Sequence, residues 1–127
     1  MDEKLKNIIE KVTEVNIKLI ENGKEVIPTC IIPKDDKLVG IAISFQNPQE
    51  KNMFKVILKR LLAESGTKVY VTSFDVKMTM TDKGKFKQDT TQVKDCILIT
   101  AYTPNEKYMV AYPYKDKVID MENKVVL

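Results

Sequence analysis

The stretch from Asn47 to Gly66 restricts the fold more than any other part of the chain. Asn47 is a good helix N-cap, Pro48 suits the first helical position, and Glu50 stands where a capping-box glutamate reaches back. Met53, Phe54, Val56, Ile57, Leu58, Leu61 and Leu62 follow as a broad apolar stripe, and Ser65-Gly66 closes it. The spacing therefore predicts a helix over 48–65. Strand-like runs lie on both sides of it. A strand–helix–strand unit of this kind predicts a right-handed crossover between parallel strands.

The remaining elements follow from hydrophobic period. From Asp2 to Asn22, Leu5, Ile8, Ile9, Val12, Val15 and Leu19 recur at three and four, the mark of one apolar helix face. Asp2 suits its cap and Gly23 its end. The rival reading of 16–28 is a hairpin turning at Asn22-Gly23. Glu25 to Pro33 reads as a strand, and Pro28 and Pro33 place it at an edge or interrupt it. Leu38 to Phe45 reads as a second strand, apolar at Val39, Ile41, Ile43 and Phe45, with small Gly40, Ala42 and Ser44 on its other face. Lys68 to Met80 is a long strand whose apolar phase shifts from odd (Val69, Val71) to even (Phe74, Val76, Met78, Met80), which predicts a bulge near Thr72-Ser73. Thr81 to Gln92 is polar. Lys94–Thr103 and Lys107–Lys115 form a hairpin around Pro104-Asn105-Glu106. After a turn at Asp116-Lys117, the tail to Leu127 adds a short edge strand.

The expected architecture is a single two-layer α+β domain over 1–127, in the order α-β-β-α-β-β-β, with two helices on one face of a mixed sheet. The helix 53–64, the Gly66-Thr67-Lys68-Val69-Tyr70 step into the long strand and the Val93–Ile99 lead into the terminal hairpin resemble small α+β proteins from prokaryotes and phages whose role is not established. Where such proteins tend to carry an acidic–aromatic step in the long strand, this chain has Phe74-Asp75-Val76. The resemblance implies a layout and carries no functional residue with it.

Composition narrows the chemistry. The 127 residues are 43% hydrophobic and 31% charged, enough apolar material for a core. There is no histidine, so imidazole general acid–base chemistry and histidine-based triads and metal sites are excluded. Arg60 is the one arginine, which leaves no arginine cluster for bidentate phosphate recognition. The scattered glycines make no phosphate-cradling loop, so no cofactor is expected. Cys30 and Cys96 lie in apolar runs and read as reduced core thiols. The charged start Met1-Asp2-Glu3-Lys4 is unlike a signal peptide and no apolar run reaches the ~20 residues of a membrane span, so the expectation is a cytoplasmic protein without a membrane partner.

Three functional readings arise. The first is a non-enzymatic interaction module that self-associates or binds another protein, with Tyr108, Tyr112 and Tyr114 as its surface. The second is single-stranded nucleic-acid binding through Lys83, Lys85, Phe86 and Lys87, with Tyr102 and the three hairpin tyrosines as a stacking platform. The net charge of +3 originates there, since five lysines and two acids fall between Lys77 and Lys94. The third is an enzyme built on Asp75, a carboxylate inside a strand. Cys96 as a nucleophile lacks an activating base. The first reading is preferred, and an uncovered apolar or aromatic sheet face is its structural signature.

Overall fold

The computed structural model describes residues 3–35, 37–79 and 93–126. Its elements are α1 (Glu3–Glu21), β1 (Thr29–Lys34), β2 (Lys37–Ala42), α2 (Pro48–Ser65), β3 (Tyr70–Thr79), β4 (Val93–Tyr102), β5 (Lys107–Lys115), β6 (Val118–Ile119) and β7 (Val125–Val126). The expected order holds, with β6 and β7 as the short edge pieces of the tail.

The helix ends show why these segments are helical. Asn47 Oδ1 accepts the Glu50 N–H at 2.9 Å, and Glu50 reaches back to the Gln46 N–H at 2.7 Å. Gly66, at φ 70°, stops α2 in the left-handed conformation. Gly23 does the same for α1 at φ 67°. Its N–H bonds the Ile20 carbonyl and the Lys24 N–H bonds the Leu19 carbonyl, a Schellman closure. That closure settles 16–28 in favour of helix. The expected Asp2 cap lies outside the described residues.

All strand pairs are antiparallel, in the order β2-β1-β3-β4-β5-β6, with β7 also on β5. This corrects the expected mixed sheet. Strands β2 and β3 do run in the same direction, but β1 lies between them. The reason is that a tight hairpin, with Lys34 paired to Lys37, holds β1 beside β2, while β1 takes β3 on its other side. Strand β1 is thus interior, despite Pro33 within it and Pro28 just before it. Pairing with β3 stops at Ile31, so the missing N–H of Pro33 costs no ladder bond on that side. The edge is β2.

The bulge expected near Thr72-Ser73 is absent: β3 pairs with β4 in one unbroken register from Tyr70↔Tyr102 to Thr79↔Val93. The phase shift has another cause. Val69 and Val71 face α1, whereas Phe74, Val76 and Met78 face the other way, and both faces bury apolar groups. On the α1 face Ser73 and Asp75 interrupt the apolar run because each has a distant polar partner. Asn16 Nδ2 donates to Ser73 Oγ at 2.8 Å, and the Tyr114 hydroxyl donates to Asp75.

Helix α1 covers one face. Leu5, Ile8, Val12 and Ile20 pack with Ile31, Val71, Ile97, Ile99, Ala101 and Tyr112. The buried seam runs through Asn16 and Ile20, so Val15, expected inside, is 57% exposed. Helix α2 packs against β1. Beneath it Cys30 and Ile32 are 0% and 2% exposed, and by register they point away from α1. No α2 residue lines the open trough on the α1 side of β1 and β2. The two helices therefore lie on opposite faces, not on one. Packing so far out, α2 buries none of its own residues completely.

Candidate interaction surface

Exposed apolar side chains occur along α2 and on the α1 side of β1 and β2. On the face away from α1, Met53 (66% exposed), Val56 (65%) and Ile57 form a stripe along α2 at helical spacing. Phe45 lies at its foot, its ring 6.2 Å from that of half-buried Phe54. Leu58, Leu61 and Leu62 are half-buried on the inner side of the helix, so α2 has apolar side chains on two sides and covers only one. On the α1 side, Val15, Leu19, Ile27, Ile31, Leu38 and Gly40 help line an apolar trough of about 350 Å³. A monomer rarely leaves so many large apolar groups together without a use for them.

Strand β2 borders the trough and is exposed or half-exposed at every residue. The direction of its backbone groups follows from the register. In an antiparallel pair, alternate residues exchange both hydrogen bonds with the neighbour, and the residues between them point outward. The Ile43 N–H bonds the Pro28 carbonyl at 2.7 Å, and the register continues Ile41↔Cys30 and Val39↔Ile32. The odd-numbered residues therefore bond to β1. Leu38, Gly40 and Ala42 aim their N–H and C=O groups outward.

The opposite edge is built differently. Among the described residues, only the two-residue strands β6 and β7 lie beyond β5. Asp116 and Lys117, both at positive φ, turn the chain into β6. Between β6 and β7 the Asp120 carboxylate accepts the N–H groups of Glu122 and Asn123. Short strands, charges and turns are the usual protection against unwanted pairing. Strand β2 has one lysine at its start, Lys37, and no proline or bulge.

The residues nominated from sequence are placed elsewhere. Tyr112 is core, 6% exposed beneath α1. Tyr108 is half-buried on the same face and bonds Glu106; Tyr114 is half-buried and donates to both Asp75 oxygens, at 2.8 and 2.9 Å. Burial, and then the bond to Asp75, raise the Tyr114 hydroxyl above its ordinary range. Tyr102 points to the other face, where it stacks on Tyr70 with centroids 4.5 Å apart. The four tyrosines thus form no common platform. Lys83, Lys85, Phe86 and Lys87 lie outside the described residues. Asp75 is engaged by Tyr114, and no group of acids and cysteines suited to a metal occurs among the described residues. No described helix is long and apolar enough to cross a membrane. The sequence did contain the signal for β2, in its lysine-poor run and its small even-numbered residues, but only the sheet order reveals that this run is an edge.

Both cysteines are buried and free. Burial raises the Cys30 thiol from 9.0 to about 11. Burial likewise raises Cys96 to about 11, although Lys94 pulls it down. A raised thiol pKa means that the fold holds the neutral form. The stability tied to these thiols is full below pH 9 and is lost as pH rises towards 11, because the unfolded chain releases its protons first. Urea midpoints measured from pH 8 to 11 should fall over that window, and replacing both cysteines with alanine should flatten part of the fall. An unchanged slope in that variant would remove the thiols as its cause. No family model, curated protein or solved structure matches this chain.

Proposed function

We propose that this protein is a non-enzymatic interaction module whose binding surface is the β2 edge with the apolar flanks on either side. One observation carries the reading: β2 is a six-residue strand edge without proline or bulge beside the α1-side trough, and α2, which follows it in the chain, has an exposed apolar stripe. Strand addition uses these parts, because backbone bonds supply affinity while flanking apolar groups receive alternate side chains. The buried, protonated thiols support a cytoplasmic setting, where they stay reduced.

The reading requires that the α2 stripe serve a partner and not the chain's own fold. In Met53→Lys, Val56→Lys and Ile57→Lys, tested singly at micromolar concentration, stability should stay within about 0.5 kcal/mol of the parent. Fluorescence of an apolar dye bound to the protein should fall with each substitution. Losses of ~2 kcal/mol or more, as for core positions, would mean that the stripe belongs to the domain's interior packing and would end this reading.

A further inference from the structure

We infer that the occupant of this edge is a second copy of the same chain, its β2 paired antiparallel to the first about a two-fold axis through Gly40. This rests on the reading just given and adds the identity of the partner.

The outward-pointing residues carry the argument. Leu38, Gly40 and Ala42 are evenly spaced about Gly40. Placed antiparallel with Gly40 against Gly40, the strand sets Leu38 opposite Ala42 of the second copy and Ala42 opposite Leu38. All three pairs then exchange both their N–H and C=O groups. The arrangement is self-complementary, as a two-fold interface must be. No outward group between Leu38 and Ala42 is left unpaired.

The side chains agree on both faces. On the α1 side, Leu38 meets Ala42 of the second copy above the trough. On the other side, Val39 meets Ile41, and the α2 helices of the two copies flank the seam on one face. A six-residue edge alone buries less than the ~800 Å² per partner of a stable interface. The exposed Met53, Val56 and Ile57 and the trough residues supply the additional apolar area.

Gly40 lies on the proposed axis. Its φ is not positive, and a Cβ there would project into the open trough and meet only the Thr29 methyl at 3.5 Å, an ordinary contact. The position therefore admits a small side chain with or without a second strand beside it, and charge is what the axis would not tolerate.

Light scattering on the wild-type chain across a concentration series should give a mass twice that of one chain at high concentration. Hydrogen exchange should then protect the Leu38, Gly40 and Ala42 amides with rising concentration, while Val39 and Ile41 stay protected throughout. Gly40→Lys places like charges directly opposite at the axis and should weaken the dimer by about tenfold or more. Gly40→Glu should do the same, and mixing the two variants should restore a dimer. Gly40→Thr, checked for folding by circular dichroism, should keep it. A chain that is monomeric at all concentrations, or a dimer whose Leu38, Gly40 and Ala42 amides exchange freely, overturns the inference even if the lysine variants fail to fold. Neither result touches the broader reading, which stands or falls on the α2 substitutions.

Discussion

Ile99→Ala is expected to cost ~2–5 kcal/mol of stability, read as a lower urea midpoint at an unchanged slope. Ile99 is 1% exposed at the middle of β4. Its neighbours in the ladder are Ser73 of β3 and Val110 of β5, and α1 lies above it. The hole left by the missing methyl and methylene groups cannot collapse easily. β4 is held by long antiparallel ladders on both sides, so no flanking strand can slide inward without breaking backbone bonds. Against a domain stability of about 5–15 kcal/mol, such a loss is a large share. Protein concentration must be fixed across the comparison, since self-association adds to apparent stability. A cost below ~1 kcal/mol would show that the α1–sheet core is far looser than its burial implies. The contrast with Met53→Lys matters as much as the value. Both positions are large and apolar, and only one lies inside.

The same contrast explains what could be read from the sequence. Helix α2 was legible to the residue because its limits are set locally, by Asn47, Pro48, Glu50 and Gly66. The order α-β-β-α-β-β-β and the terminal hairpin were legible for the same reason. What failed were statements about which strand lies beside which. Pro28 and Pro33 argued for an edge at β1, yet β1 is interior, because the place where β3 stops pairing is a property of the whole sheet. The phase shift of β3 read as a bulge because its polar residues looked misplaced. Their partners, Asn16 and Tyr114, are 57 and 39 residues away. Local spacing contains no trace of them.

The interaction surface was legible in kind but not in place. Tyrosines at alternating positions of the terminal hairpin pointed to an aromatic contact face, but alternation alone cannot say which face a helix covers. Helix α1 covers theirs. The small residues Gly40 and Ala42 are plain in the sequence, but their place on an edge strand is not. They line the trough side of an open edge, where the approaching backbone belongs to another chain under the inference drawn above. The apolar stripe of α2 is plain in the sequence, but not that the fold leaves Met53, Val56 and Ile57 exposed.

The Asn16–Ser73 pair should show strong coupling in a double-mutant cycle. Both residues are almost fully buried, at 5% and 2% exposure. Asn16→Leu removes the amide and strands the Ser73 hydroxyl under an apolar helix; Ser73→Ala strands the amide instead. Each is expected to cost ~1–3 kcal/mol, the usual penalty for a buried polar group without its partner. Together they replace a polar pair by an apolar one, so the double variant should recover ~1–2 kcal/mol relative to the sum. Simple additivity would mean that the bond contributes nothing. Recovery should come with a loss of definition. The α1 sequence offers two overlapping apolar faces. One runs through Leu5, Ile8, Val12 and Ile20 and is the face buried in the fold; the other takes in Ile9, Val15 and Leu19. Apolar packing alone discriminates weakly between rotations of the helix that differ by so little. A satisfied polar pair in the core does discriminate, because only one rotation brings Asn16 over Ser73. The double variant should therefore stay folded but show exchange-broadened amide and methyl signals along α1, with Val15 less exposed on average. The consequence reaches the edge: Val15 lines the trough beside β2, so a helix free to rotate withdraws apolar surface from the proposed seam and should weaken the dimer without any change to β2 itself.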